Sequence, residues 1–187
     1  MKEITELLNE IQEEKTRKTM LHIFEDVKKE LFEKPAAVKY HHNDAGGFGR
    51  HVKEVMNFAL VQFDNNPDIF KCTRDDVIVA AFVHDFNKVD CYEEAKERDK
   101  VRYGRKFSKK KGIWINESVK TVKLLFEYGY FPSEHILNAI CLHHGSWSVD
   151  VSSPYGYVSS GDFTPLAILL HTADLLSSHI MGGGLKE

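Results

Sequence analysis

Val77-Ile78-Val79-Ala80-Ala81-Phe82-Val83-His84-Asp85-Phe86 is an apolar run that ends in an adjacent imidazole and carboxylate. Helix packing has no use for such a pair in so oily a segment, because burying both groups is costly unless each finds a partner. A divalent cation is a partner that suits both. Thr73 and Asp76 have the spacing of a capped N-terminus, so the run reads as a helix carrying His84 and Asp85 near its C-terminal end.

Working outward, the chain repeats this association of apolar helices with ligand-type side chains. His51 follows the glycine-rich turn Tyr40-His41-His42-Asn43-Asp44-Ala45-Gly46-Gly47 and opens a helix over about 48–63. His143 and His144 end a helix that starts at Pro132-Ser133 and stops at Gly145. Thr164 caps a last helix with Pro165 in its first turn, and that helix carries His171 and Asp174 on one face. Candidate ligands thus come from four helices or helix ends, which is how an all-α domain builds a site in its core. A mixed nitrogen and oxygen donor set suits Mn, Fe, Co, Ni or Zn better than Ca.

The remaining segments also read as helices, with apolar positions at helical spacing in Ile4, Leu7, Leu8 and Ile11 and from Met20 to Phe32, and another helix over about 113–128. No run alternates as a strand does. At 187 residues, 42% apolar and 28% charged, the chain fits one soluble domain, and no apolar stretch approaches the roughly 20 residues that span a bilayer. A charged start without a signal-peptide core suggests a cytoplasmic location and no membrane partner. Cys72, Cys91 and Cys141 share no CxxC spacing, which argues against disulfides and a zinc ribbon. Net charge is −3, yet nine basic residues between Lys96 and Lys111 face only Glu97 and Asp99. Such a field attracts phosphates, although a solvated, mobile loop has the same composition. Residues 146–162 read as a surface loop, and Gly182-Gly183-Gly184 as a frayed tail.

These motifs resemble the HD-domain superfamily of metal-dependent phosphohydrolases. The likeness rests on Gly46-Gly47-Phe48-Gly49-Arg50-His51, on Phe82-Val83-His84-Asp85-Phe86-Asn87-Lys88, on Leu142-His143-His144-Gly145, and on Thr164-Pro165-Leu166-Ala167 leading to His171-Thr172-Ala173-Asp174, in that order. Within the superfamily it looks most like the HD module of bacterial 3'-to-5' exoribonucleases and conjugative relaxases. The resemblance implies an all-α, single-domain helical bundle with the metal site in its core. Residues 1–36 would be N-terminal helices packed on the domain, 37–181 the phosphohydrolase domain and 182–187 a flexible tail. It implies at least one divalent ion (Mn, Co, Ni, Fe, Mg or Zn) on His51, His84, Asp85 and Asp174. Relatives with a second ion place a histidine where this chain has Ile115-Asn116-Glu117, so a second ion would use Glu117 with His143 or His144. Where a nucleotidase branch carries glutamate, this chain has Lys88.

The implied reaction is attack of a metal-activated water on a phosphate ester or anhydride of a nucleotide or short oligonucleotide. Asp85, Lys88, His143 and His144 are the catalytic candidates, with Arg50, Arg102, Arg105 and Lys109 as substrate grips. Trp114, Trp147, Tyr155 and Tyr157 could stack on a base or simply pack. His171 reads as a support or core residue; His41 and His42 lie near the site without an assigned role. A 3'-to-5' exonuclease on single strands and a non-catalytic metal- or nucleotide-binding module are the alternatives. For the His84-Asp85 pair the plain alternative is a structural ion pair. The N-terminal helices can cover a second subunit as readily as their own core, so a homo-oligomer is compatible.

Overall fold

The computed structural model describes residues 1–38, 41–104, 106–112, 115–145 and 162–181. Arg105, Trp114, Trp147, Tyr155, Tyr157, most of the loop expected over 146–162 and the tail 182–187 lie outside the described residues. Nine α-helices are seen among those described: α1 (Ile4–Asn9), α2 (Glu14–Glu33), α3 (Gly47–Asn65), α4 (Pro67–Phe70), α5 (Arg74–Val83), α6 (Glu97–Tyr103), α7 (Glu117–Glu127), α8 (Glu134–Leu142) and α9 (Pro165–Leu175). A 3-10 turn, Phe86–Asp90, follows α5, and π-helical turns over Leu176–Met181 extend α9.

The centre of the bundle is α5, and its sequence explains why. Every residue from Val77 to Val83 is buried, so the helix has no solvent face and packs against α1, α3, α8 and α9. Its start is set by a capping box: the Thr73 hydroxyl accepts from the Asp76 amide at 3.1 Å, and the Asp76 carboxylate accepts from the Thr73 amide at 2.9 Å. Against it lies α3, whose buried residues His51, Val52, Val55, Met56, Ala59, Leu60 and Phe63 recur every three or four positions and form one face. Ser133 and Thr164 cap α8 and α9 through hydroxyls that accept from the Ile136 and Ala167 amides. Ile4, Leu7, Leu8 and Ile11, with Met20, Ile23, Phe24, Val27 and Leu31, belong to the same continuous core. No helix among the described residues is long and apolar enough to cross a membrane.

Two elements differ from the sequence expectation. The basic segment contains structure: β1 (Tyr92–Glu94) and β2 (Phe107–Lys109) pair antiparallel, Tyr92 opposite Lys109 and Glu94 opposite Phe107, with α6 between them. Three-residue strands are too short to show alternation, and backbone pairing rather than a buried face holds them. The helix expected from about 113 is α-helical from Glu117, because the Asn116 side chain accepts from the Ser118 and Val119 amides and caps it there.

The loop before α3 is tightly constrained. His42 adopts a left-handed conformation, φ 46°, and Gly46 has φ 75°. A Cβ on Gly47 would stand 2.0 Å from the His42 carbonyl oxygen, so only glycine lets the loop lie on the start of α3. Gly47→Ala is expected to cost about 3 kcal/mol or more, or to prevent folding. Gly112, where a Cβ meets nothing within 4 Å, is the control, and Gly112→Ala should stay within about 0.5 kcal/mol. Urea unfolding midpoints of the two variants check the contrast.

Candidate metal centre

Four helices deliver the central side chains. His51 comes from the buried face of α3, and its Nε2 lies 3.2 Å from His84 Nε2, 3.5 Å from Asp85 Oδ2 and 3.2 Å from Asp174 Oδ1. His84 is the C-cap of α5 and keeps helical dihedrals, while Asp85 departs from them at φ −108°, ψ 22°, and its carboxylate lies beside the imidazole at 3.4 Å. His143 closes α8 with Nε2 3.7 Å from Asp85 Oδ1. His51, His84, Asp85 and His143 are each 3% exposed or less.

The outer hydrogen bonds decide which nitrogen of each ring points inward. His84 Nδ1 donates to the Ala81 carbonyl and His143 Nδ1 to the Ile140 carbonyl, both at 2.8 Å. A carbonyl only accepts, so each Nδ1 holds a proton and each ring turns Nε2 inward, where it is a lone pair whenever the ring is neutral. His51 is ordered through a relay: the Ser177 hydroxyl donates to Glu54 Oε2 at 2.7 Å, which leaves its oxygen to accept from His51 Nδ1 at 2.9 Å. Three imidazole Nε2 atoms therefore face two carboxylates across a buried space; burial would lower the pKa of His51 and His143, but the Asp174 and Asp85 carboxylates beside them hold both above the ordinary imidazole value.

Side chains alone leave this space unsatisfied. Two Nε2 acceptors, those of His51 and His84, stand at hydrogen-bond distance with no proton to share when both rings are neutral. Asp85 Oδ1 and His143 Nε2 are buried without a hydrogen-bond partner, a condition that needs an explanation in a native structure. A divalent cation supplies one, since the orphaned atoms are all ligands of the type such ions take. Burial alone would raise the Asp85 pKa, but Lys88 and His84 hold it well below the usual carboxylate range, so the carboxylate is ionised. Burial would likewise lower the Lys88 pKa, yet Asp85, paired with its ammonium, holds it above the ordinary lysine value.

The sequence-derived candidates fall into distinct places. His51, His84 and Asp85 offer ligand atoms within 4.8 Å of one another, and so do Asp85, His143 and His144, so Asp85 is common to both groups. Asp174 reaches the centre at His51, and its Oδ1 accepts from Ser178 Oγ at 3.1 Å. Burial, with His143 beside it, pushes His144 down to about 4, so that ring is neutral near pH 7. Glu117 lies apart from these groups and pairs with Lys109 at 3.3 Å. Arg50 points outward to Asp44 and lines a depression with Phe24 and Phe32. Arg102 is exposed on α6, and Lys109 lines a cleft beyond the 3-10 turn.

His171 donates from Nδ1 to the His143 carbonyl at 2.6 Å, bracing the end of α8. His41 and His42 form a third group with His51, and His42 Nε2 donates to Glu54 at 3.0 Å. Sequence reasoning missed Glu54, Ser177 and Ser178. Their signal was spacing: Glu54 stands one turn after His51, and the serines three and four residues after Asp174. Partners of this kind hold ligand orientation and tautomer. Glu54→Gln should therefore weaken divalent-metal affinity about 10- to 100-fold. The melting temperature in chelator should stay near that of wild type, and calorimetric titration with Mn or Zn reads the affinity; unchanged binding would exclude the relay.

A family model described as HD domain matches residues 48–178, more than two thirds of the chain. That span contains all five residues around the central space, His51, His84, Asp85, His143 and Asp174, and the three imidazole supports on Ala81, Ile140 and Ser177. No curated protein and no solved structure matches the chain. With the family's span laid over the buried cluster of histidines and aspartates, the chain belongs to the HD-domain family, a superfamily of metal-dependent phosphohydrolases.

Proposed function

We propose that this chain uses a divalent metal to hydrolyse a phosphate ester or anhydride of a nucleotide or short oligonucleotide. The observation that carries the reading is the set of inward-facing Nε2 atoms on His51, His84 and His143, turned toward an ionised Asp85 whose Oδ1 has no hydrogen-bond partner. His51, His84, Asp85 and Asp174 would hold the ion, and a second would be held by Asp85, His143 and His144, whose ligand atoms lie within 4.8 Å of one another. A bound ion lowers the pKa of water toward about 7 and polarises a phosphoryl oxygen.

The side chains supply the rest. Asp85 Oδ1 is an acceptor within the centre and can take a proton from the attacking water. Lys88, buried and held charged by Asp85, is a fixed point cation for a non-bridging phosphate oxygen. His143 keeps its Nε2 for a ligand or substrate because Nδ1 is committed to Ile140. The basic surface beyond the 3-10 turn supports an anionic substrate.

Metal-stripped protein refilled with Mn, Co, Ni, Mg, Fe or Zn should hydrolyse phosphate mono- or diesters, with a nucleotide panel ranking the substrates. His84→Ala and Asp85→Asn should each reduce turnover by about a hundredfold or more. Lys88→Gln should retain metal and lose roughly a hundredfold in kcat. Absence of turnover with every ion, in protein that binds metal and folds, would overturn the assignment.

A further inference from the structure

The 3-10 turn Phe86–Asp90 separates two charged environments. Asp85 and Lys88 belong to the metal centre, whereas Asn87 and Cys91 line a different space, a cleft of about 440 Å³ walled by Lys109 at the end of β2, by Lys110 and Lys111 just beyond it and by Lys120 of α7. Asn87, which lines the cleft, and Lys88, which pairs with Asp85, are consecutive residues of that turn. The cleft is therefore one turn of chain away from the reacting centre.

Its chemistry suits an anion. Two carboxylates offset four ammonium groups: Asp90 pairs with Lys110 and with Lys120 at 3.6 Å, Glu117 pairs with Lys109, and Lys111 has no acidic partner among the described residues. The Lys109 and Lys110 pairs are exposed and worth little, so an arriving phosphate can replace them at small cost. The lining also includes a buried donor. Asn87 is 1% exposed, and its amide nitrogen has only the weak acceptor Cys91 Sγ at 3.7 Å, while its carbonyl oxygen accepts from Thr121.

We propose that this cleft binds a second phosphate of the substrate, distinct from the one cleaved, which makes the substrate a nucleotide with phosphates in series. The proposal rests on the phosphohydrolase reading and narrows it. Both a nucleoside polyphosphate and the end of a short single strand present such phosphates, and they differ only in what joins them.

Binding tests the cleft independently of turnover. Inorganic tripolyphosphate is titrated calorimetrically into metal-stripped wild type and into the triple variant Lys109→Gln, Lys110→Gln, Lys111→Gln, at about 50 and 200 mM salt. The variant should bind about tenfold or more weakly and with a shallower salt dependence. Equal affinity in a variant with wild-type melting behaviour overturns the proposal. Turnover of the metal-loaded protein gives the second readout: kcat/KM for a nucleoside triphosphate and for a trinucleotide, each divided by that for a single-phosphate ester. At least one ratio should fall about tenfold in the triple variant, through KM rather than kcat, and the ratio that falls identifies the source of the phosphates. Ratios that stay constant while all rates change together overturn the proposal. Absence of wild-type turnover on the single-phosphate ester would count against the phosphohydrolase reading, while the tripolyphosphate titration would still decide the cleft.

Discussion

A carboxylate that is 2% exposed, Asp85, is the constraint around which the other charged groups are placed. An unpaired ion at such a depth is strongly disfavoured, and pairing with Lys88 answers only part of the cost because one carboxylate oxygen stays orphaned. The surrounding imidazoles do not complete it as neutral rings, since their protons are fixed on the outer nitrogens by Ala81, Ile140 and Ser177. The donor set offered to a cation is thus arranged from outside the centre. Backbone carbonyls one turn back along α5 and α8 and a serine beyond α9 decide which nitrogen each ring presents to the interior.

The scaffold answers a separate demand, which is to bring chain segments more than a hundred residues apart to one point. His51 and Asp174 are brought together by the packing of α3 against α9, and from Val77 to Val83 α5 runs between apolar neighbours with no solvent face. Apolar burial supplies the placement and polar contacts supply the orientation. The loop ahead of α3 joins the two, since His42 reaches Glu54 only because Gly47 lets its carbonyl approach the helix.

Much of this was legible in the residues. The caps at Thr73, Ser133 and Thr164 marked helix starts because their side chains compete locally for amides, and local hydrogen bonding is what short motifs encode. The histidines and aspartates that gather in the core stood out because such residues are rare in apolar segments. Glu54 and Ser177 were not, since a glutamate on a helix and a serine near a helix end are ordinary until the fold places them together. Arg50 shows the opposite limit: adjacency to His51 suggested a shared site, but neighbours on a helix diverge by about 100° and Arg50 faces outward. The strands of the basic segment went unseen because their pairing is a backbone property.

The π-helical turns after α9 bear on inheritance. A π segment accommodates one more residue per turn than the helix it interrupts, and such widenings occur often at functional sites. Here the widened stretch carries Ser177 under His51 and Ser178 beside Asp174. A relative one residue shorter across Leu176–Met181 would keep α9 and its aspartate intact, yet every side chain beyond would rotate by about 100°. A different residue would then stand behind the first histidine. Losing one residue from these turns would thus change what props that ring while leaving the aspartate in place, so the geometry behind the histidine depends on the length of this stretch as well as on its residue types.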